Sequence, residues 1–200
     1  MMDLQAFLRS RSSIRRFDSD PIPTGVVERI LETAMCAPSA HNRQPWRFAV
    51  VSTTTGKSRL SDSMADEYRQ DLAKDGIMPV QIETLVEKSR IRINAAPLVV
   101  ILCMDVAEMD VYPDNRRATA ERTMALQSTA NAGATLLLAA HAEGLGGVWS
   151  CAPLFAPHAV NVALGLPEQW EPQAMLLIGK PAEAPKPRGR KALKEIALFS

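Results

Sequence analysis

Apolar residues recur at helical spacing from Thr24 onward, which predicts an amphipathic helix with one buried stripe. Pro38 disfavours helical backbone at the residue before it, so this helix is predicted to end by Ala37. Closer to the N-terminus, Asp3 suits the N-cap of a short helix with apolar residues on one face. The stripe of the longer helix is formed by Val26/Val27, Ile30/Leu31 and Ala34/Met35, and the face of the short one by Leu4, Phe7 and Leu8.

Four short apolar runs predict the strands of a sheet. RFAVVS begins at Arg47, directly after a polar loop. APLVVILC, which covers Ala96 to Cys103, is apolar at nearly every position, as is typical of a strand buried on both faces. GGVWS and AMLLIG, the latter from Ala174 to Gly179, read as further core strands.

Two longer helical regions lie between these runs. Residues 57 to 92 are polar with scattered apolar positions and predict one or two surface helices broken near Gly76 and Pro79. A long helix is predicted from Glu121 to Glu143, with Gly144 as a natural C′ residue. Its second half is apolar nearly all round, so it must be covered on every side, by its own domain or by a partner subunit.

The mixture of helices and strands predicts an α+β sandwich around one sheet. Neither an internal repeat nor a linker divides the chain, so residues 1 to 200 are predicted to form a single domain. Within it, residues 181 to 200 carry three prolines and several basic side chains, and are predicted to form an extended C-terminal tail over a surface.

Composition narrows the possible functions. A formal net charge of +1 over 200 residues provides no overall field for holding nucleic acid or an anionic membrane. Cys36, Cys103 and Cys151 lie far apart, which argues against a zinc site and a disulfide scaffold and suits the cytoplasm. The chain contains no signal-peptide run and nothing near the roughly 20 apolar residues that span a bilayer. We therefore expect a soluble intracellular protein.

Two arginine-rich segments are candidate phosphate sites. RSRSSIRRF, residues 9 to 17, combines four arginines with Ser12 and Ser13, and guanidinium groups bind phosphate oxygens through paired hydrogen bonds. A solvated basic turn explains this segment equally well. RGRK, residues 188 to 191, is by itself more typical of a solvated tail, and it matters only if it meets the first segment in space.

Two loops are candidate binding sites for a flat heterocycle. APSAHNRQPW, residues 37 to 46, is rich in amide and hydroxyl side chains that could hydrogen-bond to ring edges, although proline and asparagine are also ordinary turn residues. His41 in this loop is interpreted as an exposed histidine rather than a catalyst. GLGGVWSCAP, residues 144 to 153, has glycines that allow a ligand close to the backbone. Cys151 in it lacks a neighbouring His and acid, and is interpreted as a buried or cofactor-facing thiol.

Taken in order, these segments resemble the nitroreductase superfamily over nearly the whole chain. The shared features are an RxSxR-type start, a PSxxNxQPW-like loop, a long helix ending in GLG, a VW strand and a basic tail. The resemblance implies an α/β/α sandwich around one mixed, mainly antiparallel sheet, a homodimer with a long central helix, and FMN as cofactor. YPDNRRATAERTMALQSTANAG and GLGGVWSCAPLFAP are also similar to the C-terminal domain of the bifunctional γ-glutamyl ligase of coenzyme F-420 biosynthesis, here without the ligase half.

The resemblance also implies the residues of the cofactor site. Those expected at the phosphate and ribityl chain are Arg11, Ser12, Ser13 and Arg15, with Arg188 and Arg190 of the tail. Those expected from the other subunit are Pro38, Ser39, Ala40 and Asn42. Those expected at flavin N5 are Ser150, Cys151 and Ala152. KSRIR resembles the segment that supplies a cation near the flavin pyrimidine, and either Arg90 or Arg92 could provide it.

The implied activity is a ping-pong cycle in which NADH, NADPH or a reduced deazaflavin reduces FMN and a small-molecule acceptor then reoxidises it. No side chain need act as acid or base, so no catalytic residue is assigned. The resemblance to the ligase domain suggests a dehydro precursor of coenzyme F-420 as the acceptor. The alternatives are a generic nitro- or quinone reductase, a flavin-destroying or dehalogenating relative, and a flavin- or deazaflavin-binding module without turnover. Nucleic-acid binding through the arginines is disfavoured because no aromatic stacking platform accompanies the charge.

Overall fold

The computed structural model describes residues 3–185 and 189–199. The helices are α1 (Leu4–Ser10), α2 (Thr24–Ala34), α3 (Thr54–Lys74), α4 (Pro79–Ala95), α5 (Asn115–Ala142), α6 (Pro157–Leu164) and α7 (Leu193–Ile196). The strands are β1 (Trp46–Val51), β2 (Leu98–Met104), β3 (Gly146–Ser150) and β4 (Glu171–Gly179). Two 3₁₀ turns, Ala40–Asn42 and Ala152–Phe155, follow α2 and β3 respectively.

The four strands form one sheet in the order β1-β2-β4-β3, and each neighbouring pair is antiparallel. β2 is central and buried at all seven positions, which confirms the strand predicted from its continuous apolar run. Beside β3, Ser13 forms an isolated parallel bridge with Gly147, so the N-terminal segment covers part of that edge. The sheet is thus antiparallel in its named strands, with one parallel contact at its border.

Helices cover both faces of the sheet. On one face, Val99 and Ile101 of β2 belong to a cluster that includes Leu60 of α3 and Ile93 of α4. On the other face, Val100 packs in a cluster with residues of α2 and α5. The alternation of β2 side chains between the two clusters follows from the two-residue period of a strand. The predicted α+β sandwich around one sheet is confirmed.

Several boundaries differ from the sequence prediction. α5 begins at Asn115, six residues before Glu121, because the Asp114 side chain caps it by accepting a hydrogen bond from the Arg117 backbone N–H at 3.0 Å. β4 begins at Glu171 rather than Ala174. α6 and the four-residue α7 were not predicted. The observed end of α5 at Ala142 lies within one residue of the predicted end at Glu143, and Gly144 after it has a φ of +74°.

The cysteines are unpaired, as the sequence analysis expects. Cys103 is fully buried on β2, and burial raises the pKa of its thiol to about 12, so it stays protonated. Cys36 and Cys151 are exposed. Within the described ranges, no helix is both long and apolar enough to cross a membrane.

Candidate functional site

The arginine- and serine-rich segment lies against the beginning of β3. Ser13 pairs with Gly147, and the Ile14 backbone N–H donates to the Gly147 carbonyl at 3.1 Å. A Cβ atom on Gly146 would lie 2.5 Å from Ile14 Cγ1, so the close approach requires glycine there. Ser13 and Arg15 are exposed and Arg11 is half-buried. This segment therefore presents two guanidinium groups and a hydroxyl beside the edge strand.

A cavity of about 170 Å³ adjoins this segment. Its walls include Arg11, Ser12 and His141, and Pro185 of the tail also lines it. The Ser12 hydroxyl is buried and has no hydrogen-bond partner among the described residues. A buried hydroxyl without a partner is costly, and a ligand atom or a water in the cavity would satisfy it.

The beginning of the tail runs beside the arginine-rich segment. The Ala182 backbone N–H donates to the Arg16 carbonyl at 3.1 Å, and Arg16 pairs with Glu183 at 3.4 Å. Arg190 is exposed and donates to the Gly189 carbonyl at 3.2 Å. Arg188 lies outside the described residues. The role of both arginines in a phosphate site therefore stays a prediction.

The loop before β1 is attached to the middle of α5. The Ala40 backbone N–H donates to Ser128 Oγ at 3.1 Å, and Asn131 Nδ2 donates to the Pro38 carbonyl at 3.3 Å. Ser39 Oγ accepts from the Gln44 backbone N–H at 3.2 Å. His41 and Asn42 have φ values of 50° and 54°, a left-handed backbone that asparagine tolerates better than most residues. His41 is exposed, as predicted.

This loop and the end of β3 lie at the same end of the sheet but at opposite edges. Trp46 at the start of β1 pairs with Met104, and Met104 pairs with Glu171 near the start of β4. Ser150 at the end of β3 pairs with Met175. Three strand spacings separate the two edges, about 14 Å. β1, which follows the loop, and β3 therefore lie at opposite edges of the sheet.

The backbone turns sharply directly after β3. Ser150 Oγ accepts from the Ala152 backbone N–H at 3.5 Å, and Leu154 N–H donates to the Cys151 carbonyl at 3.0 Å. Cys151 Sγ lies 3.2 Å from Trp149 Nε1, which donates to it. Cys151 is exposed because it lies in the turn after the last position of β3, so the interpretation of Cys151 as buried was wrong. The alternative that it faces a cofactor stays a prediction.

A cavity of about 450 Å³ opens beside this turn. Ala152 and Phe155 form one side of it, and α3 and α4 form the other. Ser89 and Arg92 on α4 line it as well. The volume is in the range of ligand pockets that take a drug-sized molecule. Sequence reasoning missed Ser89 and Phe155, although both stand in segments that it had singled out.

The structure distinguishes the two candidate arginines of α4. Arg90 donates from Nε to Asp62 Oδ1 at 2.9 Å and pairs with Glu87 at 3.1 Å. Its hydrogen bond to Asp62 raises the pKa of Arg90. Arg92 is exposed at the cavity, and its side chain makes no hydrogen bond or ion pair with residues 3–185 or 189–199. Of these two arginines, Arg92 is therefore the one whose guanidinium group is available to a ligand.

Buried polar groups fix α4 in place. Lys57 Nζ donates to the carbonyls of Ala96 at 2.7 Å and Asn94 at 3.2 Å, which satisfies groups that the helix end leaves open. Burial lowers the pKa of Lys57. Asn94 in turn bonds Ser58 at 3.1 Å and Ser61 at 2.9 Å on α3. This network connects α3 to the last turn of α4, where Arg92 lies.

No group of three or more His, Cys, Asp or Glu side chains within the described ranges is placed to hold a metal ion. The arrangement instead combines cations and a buried hydroxyl at one end of β3 with a larger cavity at the other end. Cationic groups can bind a phosphate, and the cavity can take an aromatic ring system.

Comparison with known proteins identifies the family and the fold. The model of the nitroreductase family matches residues 8–180. The Bacillus subtilis protein YfhC, named as an NAD(P)H nitroreductase, is 29% identical over 194 residues, covering 96% of this chain and 91% of that protein. A BluB-like flavoprotein from Clostridium difficile superposes with a TM-score of 0.84 at 21% identity, over 100% of both chains. A nitroreductase from Desulfovibrio desulfuricans in complex with FMN superposes with a TM-score of 0.75 at 24% identity, over 100% and 98%.

Proposed function

This chain belongs to the nitroreductase family and is an oxidoreductase, and from that premise we propose that it binds FMN along β3. The observation that carries the proposal is the position of two sites on one edge strand. The Arg11–Arg15 segment lies beside the first residues of β3, and the 450 Å³ cavity opens directly after the last. Four residue steps separate Gly146 from Ser150, about 13 Å, which suits a ligand with a phosphate at one end and a ring at the other.

At the phosphate end, we assign Arg11, Ser13 and Arg15 to the phosphate oxygens, because guanidinium and hydroxyl groups donate well to a dianion. Ser12 contributes a buried hydroxyl that lacks a partner among the described residues, which fits a site that a ligand completes. Arg188 and Arg190 would add charge from the tail. The segment is largely exposed, so a dianion can reach it without first being desolvated.

At the ring end, the backbone of Ser150, Cys151 and Ala152 would meet the flavin near N5. Arg92 would lie near the pyrimidine, where a cation favours the negative charge that a reduced flavin carries at N1. FMN itself supplies the hydride chemistry, and the protein binds it, orients it and limits access to it. No side chain needs to exchange a proton in this scheme, and we assign no catalytic acid or base.

For the substrates, we propose a reduced nicotinamide as donor, which the NAD(P)H-dependent relative supports. The acceptor is a small molecule that enters after the oxidised donor leaves. A finer proposal is that the donor is a reduced deazaflavin or that the acceptor is a dehydro precursor of coenzyme F-420. It rests on the two stretches that resemble the ligase-associated domain. A generic nitro- or quinone reductase is compatible with the same site.

We further propose that the working unit is a homodimer. In one chain the loop with Pro38, Ser39, Ala40 and Asn42 lies at the sheet edge opposite to the proposed flavin site. A second copy could bring this loop onto the flavin. On α5, Leu126 is exposed in the single chain, whereas Ala132, Leu136 and Ala140 farther along the helix are buried within it. A symmetric interface over α5 would cover Leu126.

The dimer predicts twice the mass of the 21.9 kDa chain in solution, at micromolar concentration and in the presence of FMN. Light scattering coupled to size exclusion measures it directly. A monomeric mass for protein that carries a full complement of FMN would overturn the proposal. It would also mean that Pro38–Asn42 does not contribute to the cofactor site.

The visible absorption spectrum of the purified protein tests the central proposal. We expect two flavin bands, and we expect heat to release FMN rather than riboflavin or a dinucleotide. Addition of NADH or NADPH without oxygen should bleach the longer-wavelength band, and an acceptor should restore it. A colourless protein that cannot be reconstituted with FMN would overturn the proposal. Bound FMN that no donor reduces would favour a binding module instead.

A further inference from the structure

Helix α1 is held to the rest of the molecule mainly through one histidine. The helix has seven residues and buries none of them. The Phe7 ring stacks on the His141 ring with a centroid distance of 4.9 Å and an interplanar angle of 28°. Ser10 Oγ lies 2.7 Å from His141 Nε2. His141 belongs to the last turn of α5, far along the chain, so these two contacts dock α1 on α5.

The hydrogen-bond roles at this contact can be assigned. A serine hydroxyl has one proton, and the Phe7 carbonyl, 2.8 Å from Ser10 Oγ, can only accept, so the arrangement that satisfies both contacts has Ser10 donate to Phe7. Ser10 Oγ therefore accepts from His141 Nε2–H. Burial, and secondly the charge of Arg11, lower the pKa of His141, so the ring is neutral at neutral pH. The neutral form protonated at Nε2 provides the donor that this contact requires.

The docked helix leads directly into the proposed phosphate site. Two anchors enclose the segment: Ser10 is held by His141, and the Ile14 backbone N–H is held by the Gly147 carbonyl at 3.1 Å. Only Arg11, Ser12 and Ser13 lie between them. Arg11 and His141 also line the same 170 Å³ cavity. The backbone direction at Arg11 is therefore set on one side by Ile14 and on the other by the histidine.

We propose that His141 is a positioning residue for the FMN phosphate: by holding Phe7 and Ser10 it fixes the segment from which Arg11 and Ser13 reach the phosphate. The inference rests on the proposed function. Without the histidine, α1 has little to keep it on α5, and the three residues after it become free to reorient. Binding the phosphate would then cost the ordering of that segment, and the affinity for FMN would fall.

Comparison of FMN with riboflavin isolates this effect, because riboflavin has the same ring and ribityl chain without the phosphate. The apoprotein is titrated with each ligand, and binding is followed by quenching of flavin fluorescence. We expect His141→Ala to weaken FMN binding about tenfold, which corresponds to about 1.4 kcal/mol, and riboflavin binding less than twofold. His158→Ala on α6 is the matched control, since His158 is exposed and remote from the segment; both affinities should stay unchanged.

Two milder variants test the hydrogen bond between Ser10 and His141 without a large loss of packing. Ser10→Ala removes the acceptor of this hydrogen bond, together with the local bond from Ser10 to the Phe7 carbonyl, and should reproduce part of the loss. His141→Gln keeps an N–H donor at a similar reach and should restore much of the FMN affinity. The double variant Ser10→Ala/His141→Ala should be no worse than His141→Ala alone, because both single changes remove the same contact.

The other outcomes separate this inference from the proposed function. Wild-type protein that binds FMN, together with a His141→Ala variant that binds it equally tightly, overturns the inference alone. Equal loss of FMN and riboflavin affinity in His141→Ala also overturns it, since the histidine would then serve only general stability. Wild-type apoprotein that binds neither flavin overturns the proposed function, and the inference with it.

Discussion

Replacing Arg92 by alanine is expected to slow reduction of the bound flavin by NADH about 100-fold, the scale of losing one group that stabilises developing charge. Arg92 lines the cavity proposed for the ring, and its side chain forms no ion pair with a described residue. Its guanidinium would favour the charged, reduced state of the pyrimidine edge. The rate constant is measured at saturating FMN, in a stopped-flow instrument, from bleaching of the flavin band.

Arg90→Ala is the matched control, because the same side chain is removed two residues away. Arg90 is already bonded to Asp62 and Glu87, so it has little free charge to offer a ligand. Loss of such exposed pairs costs at most about 1 kcal/mol of stability and should leave the rate within about threefold of wild type. A slow Arg90→Ala with a normal Arg92→Ala would reverse the assignment. Normal rates in both variants would show that neither arginine supplies the cation.

In the same variants we expect a change in the midpoint potential of the bound flavin, a quantity that does not depend on the electron donor. If Arg92 stabilises the reduced flavin, its removal lowers the two-electron midpoint potential by about 30 mV for each tenfold loss in equilibrium constant. Arg90→Ala should leave the potential unchanged. A rate defect in Arg92→Ala without a shift in potential would place the arginine at the donor instead.

The choice between Arg90 and Arg92 could not be made from the sequence. Both stand in KSRIR, and nothing in that segment distinguishes them. The distinction comes from Asp62, which lies 28 residues earlier on α3 and reaches Arg90 because the two helices pack side by side. A partner so distant in sequence cannot be identified from local periodicity. The cation-bearing segment is readable from the sequence, and the identity of the free cation is not.

Elements with a strong hydrophobic pattern were predictable, and those without one were not. β2 was predictable because its seven residues are all apolar, and in the structure all seven are buried. The first turns of α5 are polar and exposed, so no periodicity marks them, and only Asp114 as an N-cap signals the true start. α6 is eight residues long and opens on a proline, which in a sequence looks like a turn. His141 gave no signal, since its contacts with Phe7 and Ser10 exist only in the folded chain.

The glycine at position 133 explains how α5 can pack so closely on the sheet. A Cβ atom there would lie 2.5 Å from Trp149 Cζ3 and 2.6 Å from Leu102 Cδ2. Leu102 is fully buried in the central strand and has no room to withdraw. Trp149 is the residue that could move, and its indole N–H donates to Cys151 Sγ at 3.2 Å. Helix packing and the proposed N5 contact are thus coupled through one tryptophan.

Gly133→Ala is accordingly expected to destabilise the fold by about 1–3 kcal/mol, even though alanine favours helix by about 1 kcal/mol over glycine. Urea unfolding of the protein measures the loss. Gly25→Ala in α2 is the matched control, since its Cβ would meet only Arg29 Nη1, at 3.9 Å, and a gain of up to about 1 kcal/mol is expected.

The same variant links packing to function. If the displaced Trp149 carries Cys151 with it, Gly133→Ala should also alter the flavin absorption bands and weaken both FMN and riboflavin, unlike His141→Ala. This pattern distinguishes a disturbance at the ring end from one at the phosphate end. Stability gained in both glycine variants would mean that α5 and Trp149 do not touch as closely as the structure has them. If Gly133→Ala loses stability but its flavin spectrum is unchanged, Trp149 contributes to packing and has no effect on the flavin ring.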